Sequence, residues 1–209
     1  MHMVAPTKLW TLDEVLALPE DGRRFELIDG VLLVNGVAVP RGDLAALDPA
    51  MTPSPTWTHQ GAAFEFARLL APFVEQHGVG RVVMAPADVP LLTGQLVQPD
   101  VFVVPLTAAG KAPTNFEEAG ALLVAVEVLS PSTARSDRVR KRAFYQRAGV
   151  PEYWIVDIDA RLIERWTPND ARPETLTSEL VWQPAAFAES LRIDLPRYFA
   201  SVLGDPVVD

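Results

Sequence analysis

The sequence contains no cysteine, and this absence excludes several classes of site. Disulfide scaffolds, thiolate nucleophiles, cysteine-based zinc sites and iron–sulfur clusters all depend on that residue. A chain of 209 residues is nevertheless long enough to bury a hydrophobic core without such cross-links, and its length suits one domain. We therefore expect a single globular domain over residues 1–209.

Histidine is also scarce, with three in the chain, and His59 and His77 have no companion ligand nearby in sequence. The familiar motifs GxGxxG after a strand, GxxxxGK[ST], HExxH and GxSxG do not occur. The sequence therefore argues against zinc hydrolysis and against Ser-His-Asp chemistry.

Positive charge is in short supply, because 18 lysines and arginines face 27 acids, for a formal net charge of −9. Phosphate binding depends mainly on lysine and arginine, so any nucleic-acid contact needs a local basic patch. Residues 135–147 supply one around a single acid, Asp137. A phosphate-facing surface fits this reversal of charge, and a solvated helix face with an Asp137–Lys141 ion pair is the alternative. The basic residues are Arg135, Arg138, Arg140, Lys141, Arg142 and Arg147.

Long hydrophobic runs are missing as well. The longest apolar stretch, 119–126, is far shorter than the roughly 18 to 20 residues of a membrane-spanning helix. No targeting segment is recognisable at the start of the chain. We therefore expect a cytoplasmic protein that does not associate with membranes.

The elements that the pattern does predict alternate between helices and strands, which indicates the α/β class. Thr11 and Glu14 have the spacing of a capping box, and Asp-Gly and Asn-Gly pairs predict a β-meander after it. The segments are an N-terminal helix and meander (about 8–40), a core (about 57–166) and short C-terminal strands with a helix (about 179–203). Within the core we predict helices at 58–76 and 137–148 and strands at 81–85, 96–104, 121–129, 153–157 and 162–166, with 167–178 as a loop.

Two carboxylates stand inside apolar strand segments, Asp100 in residues 97–104 and Glu127 in residues 122–129. A charge in such a strand is costly unless it is paired, solvated at a strand end, or bound to a cation. Two such acids on neighbouring strands fit one hard divalent ion, because Mg²⁺ prefers oxygen ligands. Strand-end acids that meet lysines or backbone donors are the alternative. Lys141 follows the Glu127 strand closely enough to point back at it.

A third acid, Glu26, also lies between apolar neighbours. Alternation along a strand puts Glu26 and Ile28 on one face. The alternative is the ordinary polar face of a half-buried strand.

The segments around these acids and Lys141, with several others along the chain, resemble the Uma-type restriction endonucleases, a family placed in the PD-(D/E)XK nuclease superfamily. The resemblance covers roughly residues 8–200 and implies a restriction-endonuclease-like mixed sheet flanked by helices, with an extra N-terminal β-meander. The matching segments are Arg24–Gly30, Pro55 with His59-Gln60, Gln98–Val104, Val126–Thr133, Asp137 with Lys141 and Tyr145, and Gly149–Trp154.

The resemblance also implies roles for individual residues. Asp100 and Glu127, with the backbone carbonyl of Val128, would hold Mg²⁺, with Mn²⁺ as the alternative ion. The lysine of the superfamily normally stands two positions after the second acid, where this chain has Leu129. The family resemblance places that lysine on the following helix, at Lys141. The remaining assignments are Glu26 as the early acid of the site and Arg138 and Arg142 as contacts to flanking phosphates.

The function that follows is a Mg²⁺-dependent endonuclease acting on DNA, and dimerisation is expected by the same resemblance because two strands are cut. Two alternatives stay open at this point. One is a nuclease-like binding or assembly module without turnover, which the displaced lysine and the net charge favour. The other is a hydrolase of a small phosphorylated substrate, which would suit one basic pocket in an acidic exterior.

Overall fold

The N-terminal residues form a short helix and a three-stranded meander; the computed structural model describes residues 9–41 and 55–206. Helix α1 (Leu12–Leu16) begins at the predicted capping box, where the Thr11 hydroxyl accepts a hydrogen bond from the backbone of Glu14. Both residues of the Asp-Gly and Asn-Gly turns have positive φ, as tight hairpin turns require. The predicted meander is confirmed as β1 (Phe25–Ile28), β2 (Val31–Val34) and β3 (Val37–Val39).

A six-stranded mixed sheet lies at the centre of the fold and runs in chain order from its first strand to its last. Its strands are β4 (Gly80–Met84), β5 (Val101–Pro105), β6 (Val124–Val128), β7 (Glu152–Asp157), β8 (Leu162–Trp166) and β9 (Glu174–Leu176). β6 and β7 run parallel, whereas the other neighbours pair antiparallel. A parallel pair needs a crossover, and helical residues between β6 and β7 supply it.

That crossover differs from the uniform α-helix predicted over 137–148. It runs as a π-helical segment (Ser136–Lys141) that continues directly into helix α4 (Arg142–Arg147). A π-helical turn holds more residues than an α-helical turn, so it changes which side chains face the sheet, and such turns are frequent at functional sites.

The sheet is covered on both faces. Helix α2 (Trp57–Gln76), capped by Thr56, packs on one face together with α5 (Leu195–Leu203) and the hairpin of β10 (Glu179–Trp182) and β11 (Leu191–Asp194). The other face is covered by α4 and the meander, through residues such as Phe144 and Leu33. Side chains alternate along β6, so Val126 and Val128 belong to the first layer and Ala125 to the second.

Three further features depart from the prediction. β5 begins at Val101, so Asp100 precedes the strand instead of lying within it, and Leu96 and Val97 form isolated bridges to the meander and to Val89. β9 extends the sheet into the segment predicted as a loop, 167–178, and a short helix α3 (Phe116–Ala119) precedes β6. Within the described ranges, no helix combines the length and apolar character that crossing a membrane requires.

The packing between α2 and the sheet provides a direct test of the fold. Phe66 is fully buried, with its ring edge-on to Trp154 and to Tyr198 at centroid distances of 5.8 and 5.3 Å. Phe66→Ala is expected to lower the free energy of unfolding by about 3–5 kcal/mol in urea titrations, because it leaves a cavity in the core. The matched change Phe64→Ala, at a side chain that is 58% exposed, should stay within about 0.5 kcal/mol. Equal costs at both positions would contradict this packing.

Candidate active site

Side chains alternate along β6, and this alternation turns the carboxylate of Glu127 toward the crossover that follows the strand. Glu127 shares the face of Ala125, which is the face that α4 covers. The π-helical segment and α4 therefore pass directly over its carboxylate. Lys141, at the junction of the two helical segments, and Tyr145, one α-helical turn later, both reach Glu127.

Lys141 places its ammonium group among three carboxylates, although its side chain is only 2% exposed. Nζ lies 2.9 Å from Glu127 Oε1, 3.0 Å from Glu26 Oε2 and 3.7 Å from Asp137 Oδ1. Burial alone would lower the pKa of Lys141, but the charges of these acids outweigh it and raise the pKa above its ordinary value. Lys141 is therefore an ammonium ion throughout the neutral range and donates hydrogen bonds only.

The acids around Lys141 respond to burial in the opposite direction. Burial raises the pKa of Glu127 well above its ordinary value, although the charge of Lys141 opposes the shift. Burial likewise raises the pKa of Asp137 to about 6. The Tyr145 hydroxyl donates to Glu127 Oε1 over 3.3 Å, so two donors share that oxygen.

Glu26 completes the surroundings of Lys141 from the meander. Its side chain is fully buried, and its Oε1 accepts the backbone N–H of Gln98 over 2.9 Å. This bond ties β1 to the segment that leads into Asp100. The contacts of Glu26 are thus those of a residue that positions Lys141. Glu26 was predicted to share a strand face with Ile28, and that face is turned toward the sheet.

Asp100 lies beside the C-terminal end of β6 and is held by groups from three separate parts of the chain. Its Oδ2 accepts the backbone N–H of Val128 over 2.9 Å and lies 3.4 Å from His59 Nε2, while Arg24 Nη1 donates to Oδ1 over 2.6 Å. Burial would raise the pKa of Asp100, but the hydrogen bond from His59 and the charge of Arg24 outweigh it and hold the pKa well below its ordinary range. Asp100 is therefore ionised at neutral pH.

A cleft of about 780 Å³ opens onto this cluster. Asp100, Glu127, Val128 and Lys141 all contribute to its walls. Other wall residues are Arg24, His59, Asp137, Arg138 and the turn Ser130–Ala134 between β6 and the crossover. The cleft thus borders Asp100, Glu127, Asp137 and Lys141.

The two arginines predicted to contact phosphates already have partners within the fold. Arg138, at the edge of the cleft, pairs with Asp157 at 2.7 Å and with Glu164 at 2.6 Å. Arg142 lies over the ring of Trp166 at 4.8 Å and does not belong to the walls of the cleft among the described residues. Their contact with DNA stays a prediction.

Several contributors to the site were not assigned to it from the sequence, and His59 beside Asp100 is one of them. Asp137 was considered as one half of a solvated ion pair with Lys141, but both residues are buried, so that alternative is wrong for this pair. Tyr145 had no role beyond its place in a matching segment. It is buried, and it donates to Glu127. Arg24 had no signal beyond its place in a matching segment, because only the folded chain brings it to Asp100.

The donor set at the cleft has the chemistry that a hard divalent cation prefers. Asp100 and Glu127 offer carboxylate oxygens, which Mg²⁺ and Mn²⁺ prefer. Over residues 9–41 and 55–206, no group of three or more His, Cys, Asp or Glu side chains stands ready to hold an ion alone. Mg²⁺ is commonly held by one or two carboxylates, with water and substrate phosphate completing its shell. A site made of these two carboxylates follows that pattern.

Comparison with known proteins concerns the fold and the family of the chain. A crystal structure of a putative nuclease belonging to DUF820 from Anabaena variabilis ATCC 29413 superimposes with a TM-score of 0.68 at 20% identity, covering 92% of this chain and 98% of that one. This likeness shows the same mixed α/β fold. The comparison with curated proteins finds no match. The model of the family described as "Uma2: Putative restriction endonuclease" matches residues 12–196. The chain therefore belongs to the Uma2 family, as the resemblance of its motifs predicts.

Proposed function

We propose that the protein is a divalent-metal-dependent endonuclease that hydrolyses phosphodiester bonds of DNA. One observation carries the proposal: the Lys141 ammonium is held 2.9 Å from Glu127, in a cleft that Asp100 also lines. Two acids near the ends of adjacent strands and a lysine from the crossover helix are residue types that suit metal-assisted phosphodiester hydrolysis. The family membership supports a nuclease in general.

Asp100 and Glu127, with the backbone carbonyl of Val128, are the groups that would hold the ion, Mg²⁺ or Mn²⁺. When bound there, the ion would polarise the phosphate and lower the pKa of an attacking water. The chain supports this arrangement by keeping Asp100 ionised and by fixing its Oδ2 on the backbone of Val128.

Lys141 has the task of donating hydrogen bonds. Because its pKa is raised, it cannot take a proton from water. It can orient the attacking water or offset the negative charge that grows on the phosphate. Glu26 and Asp137 are the other two carboxylates near the ammonium group, and they help to hold it in place.

The displaced lysine is compatible with catalysis for a geometric reason. Leu129 occupies the usual lysine position and packs with the hydrophobic layer beneath α4. The crossover that follows β6 brings Lys141 back over Glu127, so the ammonium still reaches the carboxylate. The absence of a lysine at position 129 is therefore not a reason to exclude activity.

Cleavage of supercoiled plasmid tests the proposal. In low salt with Mg²⁺ or Mn²⁺, the protein should nick or linearise the plasmid, EDTA should stop the reaction, and Glu127→Gln should slow it at least about 100-fold. The matched control is Glu179→Gln, at an exposed acid paired with Arg192 on the outlying hairpin. It should cleave like the wild type.

Other results would overturn the proposal in distinguishable ways. Tight DNA binding without cutting, in both metals, would favour the binding module. An absence of DNA affinity even in low salt, where phosphate attraction is strongest, would favour a small phosphorylated substrate.

A further inference from the structure

A guanidinium stands beside the carboxylate of Asp100 that is proposed to hold the ion. At Oδ2 the backbone N–H of Val128 donates over 2.9 Å, and His59 Nε2 lies 3.4 Å away. At Oδ1, Arg24 Nη1 donates over 2.6 Å. Oδ2 is thus crowded by two neighbours, and an ion bound at Oδ1 would share that oxygen with Arg24.

Arg24 is anchored at its backbone. Its N–H donates to the Asn35 side chain and its carbonyl accepts the Asn35 N–H, each over 2.9 Å, at the tight turn after β2. The side chain is 19% exposed and belongs to the walls of the cleft. Its second amino group donates to the Gln98 carbonyl, while its buried Nε lacks a hydrogen-bond partner among the described residues. The guanidinium thus keeps one buried donor without a partner in the described part of the chain.

We propose that Arg24 is a phosphate-binding residue that competes with the divalent ion for Asp100 until DNA enters the cleft. This inference rests on the proposed function. Two cations on one carboxylate oxygen repel each other, so Arg24 weakens ion binding in the DNA-free protein. A guanidinium matches the geometry of a phosphate as well as that of a carboxylate. A DNA phosphate in the cleft therefore draws Arg24 away from Asp100 and frees Oδ1.

The consequence is coupling between substrate and metal. DNA increases the affinity for the ion, and by linkage the ion increases the affinity for DNA to the same degree. The free protein binds its metal weakly, which limits the formation of a loaded site before a substrate is present. In this scheme the Arg24 guanidinium exchanges one anionic partner, Asp100, for another, a DNA phosphate.

The test uses two binding measurements that do not depend on turnover. Mn²⁺ affinity of the DNA-free protein is measured from the electron paramagnetic resonance signal of free Mn²⁺. Affinity for a labelled DNA oligonucleotide is measured by fluorescence anisotropy in EDTA at low salt. Arg24→Met should bind Mn²⁺ about tenfold more tightly, because a competing charge is gone, and should bind the oligonucleotide about tenfold more weakly, because a phosphate contact is lost.

Two further variants keep the inference falsifiable. Arg24→Lys retains the charge without the planar fork, so its Mn²⁺ affinity should stay close to that of the wild type even if Arg24→Met folds poorly. Arg161→Met removes an exposed arginine that pairs with Asp205, and both affinities should stay unchanged. A residue with a purely structural role would weaken both affinities when replaced, whereas the inference requires opposite signs.

Weaker Mn²⁺ binding in a folded Arg24→Met protein, or unchanged oligonucleotide affinity, would overturn the inference. A wild-type protein that cleaves DNA while Arg24→Met alters neither affinity would leave the proposed function standing without it. A wild-type protein that binds no Mn²⁺ under any condition would instead remove the proposed function itself.

Discussion

Lys141→Met is expected to slow phosphodiester cleavage about 100- to 1,000-fold, as the loss of a preorganised electrostatic donor typically does. Methionine keeps the length and apolar character of the lysine stem, so the change removes little beyond the charge and its three donors. The ammonium contacts Glu127 directly, and no other lysine or arginine among the described residues does so. A second cation is therefore not at hand to replace it.

The same variant is expected to destabilise the fold by about 3–5 kcal/mol, because it leaves buried carboxylates without their cation. Glu26 is fully buried, and both Glu127 and Asp137 are almost so. Denaturation in urea at pH 7 measures this cost directly. Raising the pH should not relieve it, since the acids only gain charge.

A compensating variant separates the two effects. Lys141→Met combined with Glu26→Gln and Glu127→Gln removes the cation together with its two nearest anions. Removing a buried cation together with its nearest anions is less costly than removing the cation alone, so much of the stability should return, although Asp137 stays buried without a cation. Cleavage should not return with it. A Lys141→Met protein that is both fully stable and fully active would show that the ammonium group has neither role.

Much of this cluster was accessible from the sequence, for physical reasons. Asp100 and Glu127 stand out because charges are costly next to apolar strand residues. Period-2 alternation places Glu127 on the face of Ala125 and Leu129, and the short connection after β6 limits where the next helix can go. The meander was accessible too, because Asp-Gly and Asn-Gly turns specify tight hairpins from local conformation alone.

What the sequence could not supply is information about long-range contacts and helix type. The pairing of Arg24 with Asp100 spans 76 positions and depends on how the meander sits on the sheet. The π-helical segment has no hydrophobic pattern of its own, since its one apolar residue, Val139, is exposed. β9 was missed because edge strands are short and polar, as Glu174 and Thr175 are.

Asp100→Asn is expected to slow cleavage about 1,000-fold, because it removes one of the two carboxylates proposed to hold the ion. The amide keeps the shape of the side chain, and its oxygen can still accept the Val128 N–H. Mn²⁺ affinity should fall in this variant. The two variants remove opposite members of the Arg24–Asp100 ion pair, and their effects on Mn²⁺ affinity should have opposite signs. Arg24→Met removes the competitor for the ion, whereas Asp100→Asn removes the ligand.

The stability cost of Asp100→Asn should depend on pH in a defined direction. The pKa of Asp100 lies below its ordinary range in the folded protein, so its ionised form stabilises the fold at any pH above that range. This contribution is lost as the pH falls through the folded pKa. At pH 7 we expect the wild type to exceed Asp100→Asn in free energy of unfolding by about 1.5–3 kcal/mol, the range for hydrogen bonds to charged groups. This gap in free energy of unfolding should be smaller below about pH 4, where carboxyls ordinarily titrate.

Urea titrations of both proteins at pH 7 and at pH 3.5 measure the gap. The control is Asp205→Asn, which cuts the exposed Arg161–Asp205 pair. That change should cost at most about 1 kcal/mol, because solvent and salt screen exposed pairs. If the gap for Asp100→Asn widened as the pH fell, burial rather than its cationic neighbours would dominate the carboxyl, and Asp100 would be neutral where the proposed site needs it charged.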